Sequence, residues 1–319
     1  MTRDDQIEQQ TGAGFHVLAG RTQIELTGGD RAKFLHSLCT NDIQILKPGD
    51  GCEAFLTNVQ GKVAGYVYVY CLSDSLVLDT VPGEGKPILE GLDRYLIRED
   101  VELHDRTGDW AEIVMWGNEC GQRLQQNLGW SPPAAPLGHI TVESAHTTMS
   151  LRRVPYCGAE SFFLSCPIDS ASDCCDALRR AGVEECSVEA INMVRIESGT
   201  PLFGVDVTSD NLPQEVDRNE QAINFNKGCY LGQETIARLD ALGHVNRLMV
   251  GLRFAGKNVP LPGTILKQND KPLARITSSC WSSALECPLA LGYVRRGHTT
   301  PGSQINSESL DAQVVRLPV

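Results

Sequence analysis

The sequence predicts an α+β body followed by a small all-β domain, on two observations. Strand and helix patterns alternate from about residue 30 to residue 243, and beyond Gly243 only strand patterns remain. At 319 residues the chain can bury a large core, and its length suggests two or three domains. We expect an α+β region over residues 1–243, divisible near the proline-rich stretch 131–137, and a β-barrel over 244–319.

The elements follow in order. Asp30 to Leu38 carries Phe34, Leu35 and Leu38 on one helical face. Glu53–Val59 and Val63–Leu72 read as strands joined by Gln60-Gly61-Lys62, and the second alternates Tyr66, Tyr68 and Tyr70 with smaller residues. A tyrosine face could stack a flat ligand, but tyrosine also simply favours strands, and packing is the default reading. Leu76–Val81 is a third strand, and Ile88, Leu89, Leu92, Tyr95 and Leu96 mark an amphipathic helix over about Pro87–Ile97. Strands at Val101–His104 and Ala111–Trp116 precede a helix at about Glu119–Leu128. Pro132, Pro133 and Pro136 then break any helix or central strand. Met149–Arg153 and Phe162–Ser165 are expected strands. A helix over Ser170–Ala181 should open on a Ser170/Asp173 capping box and end at Gly182, and Val188–Ser198 is helical too. In the tail, Leu248, Val250, Leu252 and Phe254 alternate, Asn269-Asp270 joins two strands as a hairpin, and Leu289–Val294 and Val314–Leu317 add two more.

Composition excludes several classes. A formal net charge of −12 opposes broad binding to nucleic acid or anionic membranes. No apolar run approaches the roughly 18 residues of a membrane span. Met1 to Gln10 is polar and acidic, unlike a signal or transit peptide, so a cytoplasmic location is expected. The twelve cysteines then read as free thiols in a reducing compartment. With no Cys-x-x-Cys spacing among them, no resident metal site is expected. The Gly83-Glu84-Gly85-Lys86 stretch fits neither a P-loop nor a dinucleotide fingerprint, and no nucleophile elbow or His-Glu-x-x-His occurs.

One segment carries chemistry: Lys227-Gly228-Cys229-Tyr230-Leu231-Gly232-Gln233-Glu234, running on to Arg238. Gln233 to Leu242 has a helical pattern, with Gly243 placed to cap it. Cys229 thus lies just before a helix N-terminus, where Lys227 and the helix dipole would both favour thiolate. By residue type alone a free cysteine is more often packed than reactive, and Glu234 with Arg238 is an ordinary i,i+4 surface pair.

This segment resembles the signature of the YgfZ family, folate-binding relatives of the glycine-cleavage T protein (aminomethyltransferase) that include mitochondrial factors for maturing iron–sulfur proteins. The residues that fit are Lys227, Cys229, Tyr230, Gly232, Gln233, Glu234 and Arg238. Arg195-Ile196-Glu197-Ser198-Gly199, with Pro201 and Gly204, is similar to the Arg-Leu-Glu-Ala-Gly segment of T proteins. The likeness extends from about Gly28 to Arg296, through Phe34-Leu35, Thr40-Asn41-Asp42, Phe55-Leu56-Thr57, Gln60-Gly61-Lys62 and Tyr95-Leu96-Ile97. It implies a T-protein-like folate-binding body with a C-terminal barrel, and tetrahydrofolate or a one-carbon derivative as cofactor. Glu197 would grip the pterin's paired N–H donors, a geometry suited to a carboxylate. Thr40, Asn41 and Asp42 would border that pocket.

T proteins carry acids in a Gly-Gly-Val-Ile-Asp-Asp-like strand where this chain has Gly61-Lys62-Val63-Ala64-Gly65-Tyr66. With Gly65 and Tyr66 at the acidic positions, glycine-cleavage chemistry is not expected. The resemblance implies a folate-binding accessory protein for assembly or repair of iron–sulfur proteins, with Cys229 as its working residue. Its partners would be those proteins or their assembly machinery. Two other readings stay open: a folate-dependent one-carbon transferase, and a non-catalytic module that senses folate.

Overall fold

The computed structural model describes residues 12–144, 147–307 and 310–319. The first part comprises β1 (Gly14–Leu18), β2 (Thr22–Thr27), α1 (Arg31–His36), β3 (Gly51–Thr57), β4 (Val63–Cys71) and β5 (Leu76–Thr80). These are followed by α2 (Gly85–Asp93), β6 (Glu102–Asp105), β7 (Trp110–Trp116) and α3 (Cys120–Leu128). Beyond the prolines come β8 (His139–Ser144), β9 (Thr147–Arg153), β10 (Ser161–Pro167), α4 (Ala171–Arg180), β11 (Glu184–Glu185) and α5 (Val188–Glu197). A connection bearing α6 (Asn219–Ala222) and α7 (Gln233–Leu242) then leads to the tail. Its strands are β12 (Arg247–Phe254), β13 (Ile265–Gln268), β14 (Lys271–Ser282), β15 (Cys287–Arg295), β16 (Gln304–Ile305) and β17 (Ala312–Val315).

Three sheets result, ordered β3-β4-β5-β2-β6, β11-β1-β7-β10-β9-β8 and β13-β14-β15-β12-β17-β16. The first two face each other. Their shared layer contains Tyr68 and Tyr70 from one sheet and Val114, Trp116 and Phe163 from the other. On the outer side of the first sheet, Phe34 and Leu35 of α1 and Ile88 and Leu92 of α2 are buried. On the outer side of the second, α3 contributes Cys120 and Leu124, and α4 contributes Cys174, Cys175 and Leu178. Ile196, near the end of α5, packs on Leu289 and Leu291 of the third sheet. That curled sheet has its own interior, around Leu252, Ile276, Ala290 and Val314. The mixed body and all-β tail are those expected. Asn269 and Asp270 both take positive φ, +52° and +59°, the primed hairpin geometry.

Among the described residues the path begins in the second sheet with β1, leaves it for β2–β6 and returns with β7. The proline stretch, expected to divide two subdomains, therefore runs inside one lobe, and the sheets change over between β6 and β7 instead. The strands β1, β2 and β8 were not anticipated. In β2 the polar Gln23 sits at a buried position because its amide donates across the sheet interface to Glu112 Oε2 at 2.8 Å and Ser165 Oγ at 3.3 Å. Polarity serving such an interface conceals the strand pattern. The Ser170/Asp173 capping box does not form: a 3₁₀ turn over Ile168–Ser170 leads into α4, and the Ser170 side chain makes no cap bond. The Met1–Gln10 segment lies outside the described residues.

Charges accompany Gln23 in the layer between the two sheets. Arg21 donates to Asp79, and Arg152 Nη1 reaches Asp79 Oδ2 and Glu112 Oε2, both at 3.3 Å. The Arg152 guanidinium lies 4.3 Å above the Tyr70 ring, and that of Arg21 lies 4.9 Å from Phe163. Burial, with Asp79 close by, outweighs Arg152 and holds the Glu112 carboxyl well above its ordinary range. The folded protein then binds a proton that the unfolded chain has released, so stability should fall as pH rises from about 5 toward 8. Glu112→Gln, which keeps the shape without the titration, should flatten that fall in urea midpoints measured across the same range.

Candidate functional site

The loop between α6 and α7 is pinned to the body at both ends. Lys227 is 8% exposed, and its ammonium donates to the carbonyls of His36 at 2.6 Å, Cys39 at 2.8 Å and Asn41 at 2.7 Å. Burial lowers its pKa, while three carbonyls replace the water it has lost. The ring of Tyr230, buried beside it, lies 4.9 Å from Nζ. At the other end, Leu231 N–H donates to Ser37 O at 2.9 Å, and Thr57 Oγ1 donates to Leu231 O at 2.6 Å.

Gly232 follows with φ +79°, and a β-carbon there would fall 2.4 Å from Asn58 O and 2.7 Å from Gly61 Cα. Gly61 is equally constrained: its own β-carbon would meet Gly232 O at 2.8 Å. The turn between β3 and β4 therefore seats the start of α7, which runs from Gln233 to a left-handed Gly243 as expected. Glu234 and Arg238 are both exposed, and no ion pair joins them among the described residues. Gln233 is half-buried at the first position of the helix.

Between these anchors stand Gly228 and Cys229. Of the twelve cysteines, Cys229 alone is exposed; eight are buried and three half-buried. Burial pushes the Cys39 thiol up to about 11 and that of Cys280 up to about 12. The expected help from Lys227 takes another form. Its hydrogen bonds go to the body, so it fixes the loop rather than contacting the thiol.

Thr40, Asn41 and Asp42 gather around the same anchor. Thr40 is fully buried; its hydroxyl donates to Ala222 O at 2.6 Å and accepts from Phe55 N–H at 2.9 Å. Asn41 Nδ2 bridges Glu53 O and Gln221 O, at 2.8 and 2.9 Å. Asp42 faces His36. Glu197 lies elsewhere, at the C-terminal end of α5. It is 5% exposed, and its Oε1 accepts from Ser282 Oγ at 2.6 Å and Ala284 N at 3.2 Å, joining the helix to the barrel. The structure thus places Thr40–Asp42 with Lys227 and turns Glu197 toward the barrel.

Where the acidic pair is missing, Tyr66 meets a group the sequence reading overlooked. The fully buried Glu53, on β3, accepts from Tyr66 OH at 2.6 Å and from Arg218 Nε at 3.0 Å, with a second Arg218 contact to its other oxygen. Both oxygens are occupied, so this carboxylate is not available as a base. No local motif announces it, because Arg218 comes from 165 residues away. Tyr68 lies beside this group and near Arg21, so the tyrosine face is packed core, as the default reading had it.

A cleft of about 500 Å³ opens beside α5, lined by Arg21, Val81, Tyr156, Ile191, Asn192 and Arg195 among others. It adjoins a narrow recess to which Tyr66, Tyr68 and Phe203 contribute; Arg21, Val81, Tyr156 and Leu202 line both. Arg195 is oriented by Asn192 Oδ1 at 2.9 Å and Asp206 Oδ2 at 3.0 Å. Two guanidiniums and an aromatic ring thus meet around a hollow whose wall also includes His16, Glu189 and Asn192.

Comparison with known proteins agrees with this architecture. The GCVT N-terminal domain model matches residues 9–227, and the glycine cleavage T-protein C-terminal barrel domain model matches residues 247–319. The chain belongs to this family. An aminomethyltransferase of Synechococcus sp. (strain RCC307) is 26% identical over 292 residues, 89% of this chain and 80% of the relative. Another, from Symbiobacterium thermophilum, is 25% identical over 326 aligned positions, 96% of this chain and 86% of the relative. The crystal structure of glycine cleavage system aminomethyltransferase T from Bartonella henselae superimposes with a TM-score of 0.88 at 18% identity, covering 99% of this chain and 88% of that one. This last likeness is one of fold.

Two outcomes follow from the loop's anchoring. Lys227→Met should cost about 1–3 kcal/mol in denaturant unfolding, since it strips buried carbonyls of their donor. Limiting iodoacetamide should label Cys229 before the other eleven thiols, as peptide mapping by mass spectrometry would record.

Proposed function

We propose that this chain is a YgfZ-type, tetrahydrofolate-binding accessory protein supporting assembly or repair of iron–sulfur proteins, with Cys229 as its working thiol. The observation that carries this reading is the presentation of Cys229: an exposed thiol held between two fixed anchors by the residues of the family signature. A thiol serving only as core filling would not be lifted clear of the body on a loop so firmly tied at its ends. The absence of a free carboxylate at Gly65 and Tyr66, with Glu53 locked by Arg218, speaks against aminomethyl transfer.

Folate binding is supported by the chemistry of the cleft. Its size suits a flat heterocycle, Tyr156 offers a ring, and Arg21 and Arg195, each paired with a buried carboxylate, bring guanidinium groups to its wall. Glu197 is our proposed pterin partner, and to serve it must exchange the Ser282 hydroxyl for the pterin donors. The names of the relatives favour a second reading, a folate-dependent transferase. Turnover of methylene-tetrahydrofolate with an amine acceptor would establish that reading.

Glu197→Gln should weaken tetrahydrofolate binding by about 1.5–3 kcal/mol in calorimetry, the scale of a charged hydrogen bond. Unchanged affinity in a folded variant would hand the pterin to the residues that line the cleft, of which Glu197 is not one. Cys229→Ala should keep fold and folate affinity yet fail to restore iron–sulfur enzyme activity in a host lacking this gene. Full restoration would leave a folate-sensing module as the better account.

A further inference from the structure

The formal net charge of −12 is unevenly spread along the chain. Residues 244–319 carry nine Lys and Arg against four Asp and Glu, a net of +5, so residues 1–243 stand at −17. Part of the positive charge collects on the outer face of one hairpin, β13 with β14. Leu266, Ala274 and Ile276 of this hairpin are buried in the barrel interior. Ile265 and Arg275, opposite each other in the register, alternate with them and are exposed, as are Lys267 and Lys271 nearer the turn. Among the described residues Lys267, Lys271 and Arg275 enter no ion pair. Two aliphatic side chains stand among these cations: Ile265 is 45% exposed, and Leu261, just ahead of β13, is 75% exposed. Leu261 is not on a loose segment. Its carbonyl accepts from Thr264 N–H at 3.1 Å and Thr264 Oγ1 at 2.6 Å, while Gly263 N–H donates to Ile276 O at 2.8 Å and Ser279 Oγ donates to Pro260 O at 2.6 Å.

We propose that this face of the barrel docks a separate protein through an acidic segment that carries one apolar side chain. Its carboxylates meet Lys267, Lys271 and Arg275, and its apolar group covers Leu261 and Ile265. An apolar centre within a charged rim is the ordinary build of a protein interface. A lysine and a bulge also serve to blunt an edge strand, and β13 has both, with the bulge falling between Leu266 and Lys267. That purpose requires neither the two cations on β14, which is an inner strand, nor an exposed Leu261. A phosphate backbone would use the cations and leave both aliphatics in water. A bilayer would gain little from two such side chains. A second copy of this chain offers an acidic body, but barrel on body is a head-to-tail contact that propagates into open chains. A separate acidic protein satisfies all three constraints, and this role stands whatever Cys229 does.

The intact chain would be titrated by fluorescence anisotropy into three short labelled peptides. The first is aspartate and glutamate around one leucine, the second replaces that leucine by serine, and the third replaces the acids by their amides. The first should bind, the second more weakly, and the third not at all. Raising salt from about 50 to about 300 mM should weaken binding about tenfold. The triple variant Lys267→Glu, Lys271→Glu, Arg275→Glu should weaken it by about tenfold or more. Leu261→Ser should remove the advantage of the leucine peptide, and Lys33→Glu, which reverses an exposed cation of α1, should change nothing. No binding of the first peptide, or equal binding by wild type and the triple variant, would overturn the proposal. Should the triple variant not fold, unchanged binding by both Lys271→Glu and Leu261→Ser would do so. Tighter binding of phosphatidylserine vesicles or duplex DNA than of the peptide would give the face to another occupant and overturn it too. So would self-association in sedimentation that the triple variant abolishes.

Discussion

Everything in the body depends on how two sheets were brought face to face with charges between them. An unpaired ion in a dry interface costs several kcal/mol, so Arg21 and Arg152 must be placed against Asp79, with the raised Glu112 carboxyl beside Arg152. Asp79 lies on the first sheet and Arg21 in the connection just ahead of β2, while Arg152 and Glu112 lie on the second sheet. A slip of either sheet by one residue would turn these side chains away from their partners, and the register of each lobe is thereby tied to the other. Arg21 also lines the cleft beside α5, so the same constraint that joins the lobes shapes the proposed ligand site.

The thiol loop depends on a different economy. A single ammonium gathers carbonyls from the end of α1 and the segment after it, and two glycines allow the start of α7 to rest on the β3–β4 turn. The signature residues thus divide their labour. Lys227, Tyr230 and Gly232 hold, and Cys229 is presented. A motif that reads in sequence as a reactive-cysteine motif is, in structure, mostly an anchor.

The legibility of the fold follows from where its order arises. Helices with one apolar face and alternating strands could be read directly, as could the Asn269-Asp270 hairpin and the Gly243 cap, because their determinants are local. The strand β2 could not, since its Gln23 is buried for a partner on another sheet. The proline stretch looked like a divide because prolines interrupt elements; whether they also separate sheets depends on pairing between distant strands. At the site, Cys229 and its neighbours were visible as a motif. Glu53 with Arg218, and His36 with Asp42, were not, because each acquires its meaning only from a neighbour brought by the fold.

The mutual contact of Gly61 and Gly232 has a consequence for recognition. Because the two backbones touch, the loop cannot swing as a lid, and only the short span between Lys227 and Leu231 retains freedom. The thiol is therefore displayed on a surface whose shape is settled before any partner arrives. Little conformational entropy remains to be lost on encounter, so a partner's contacts go into complex lifetime rather than into ordering the loop.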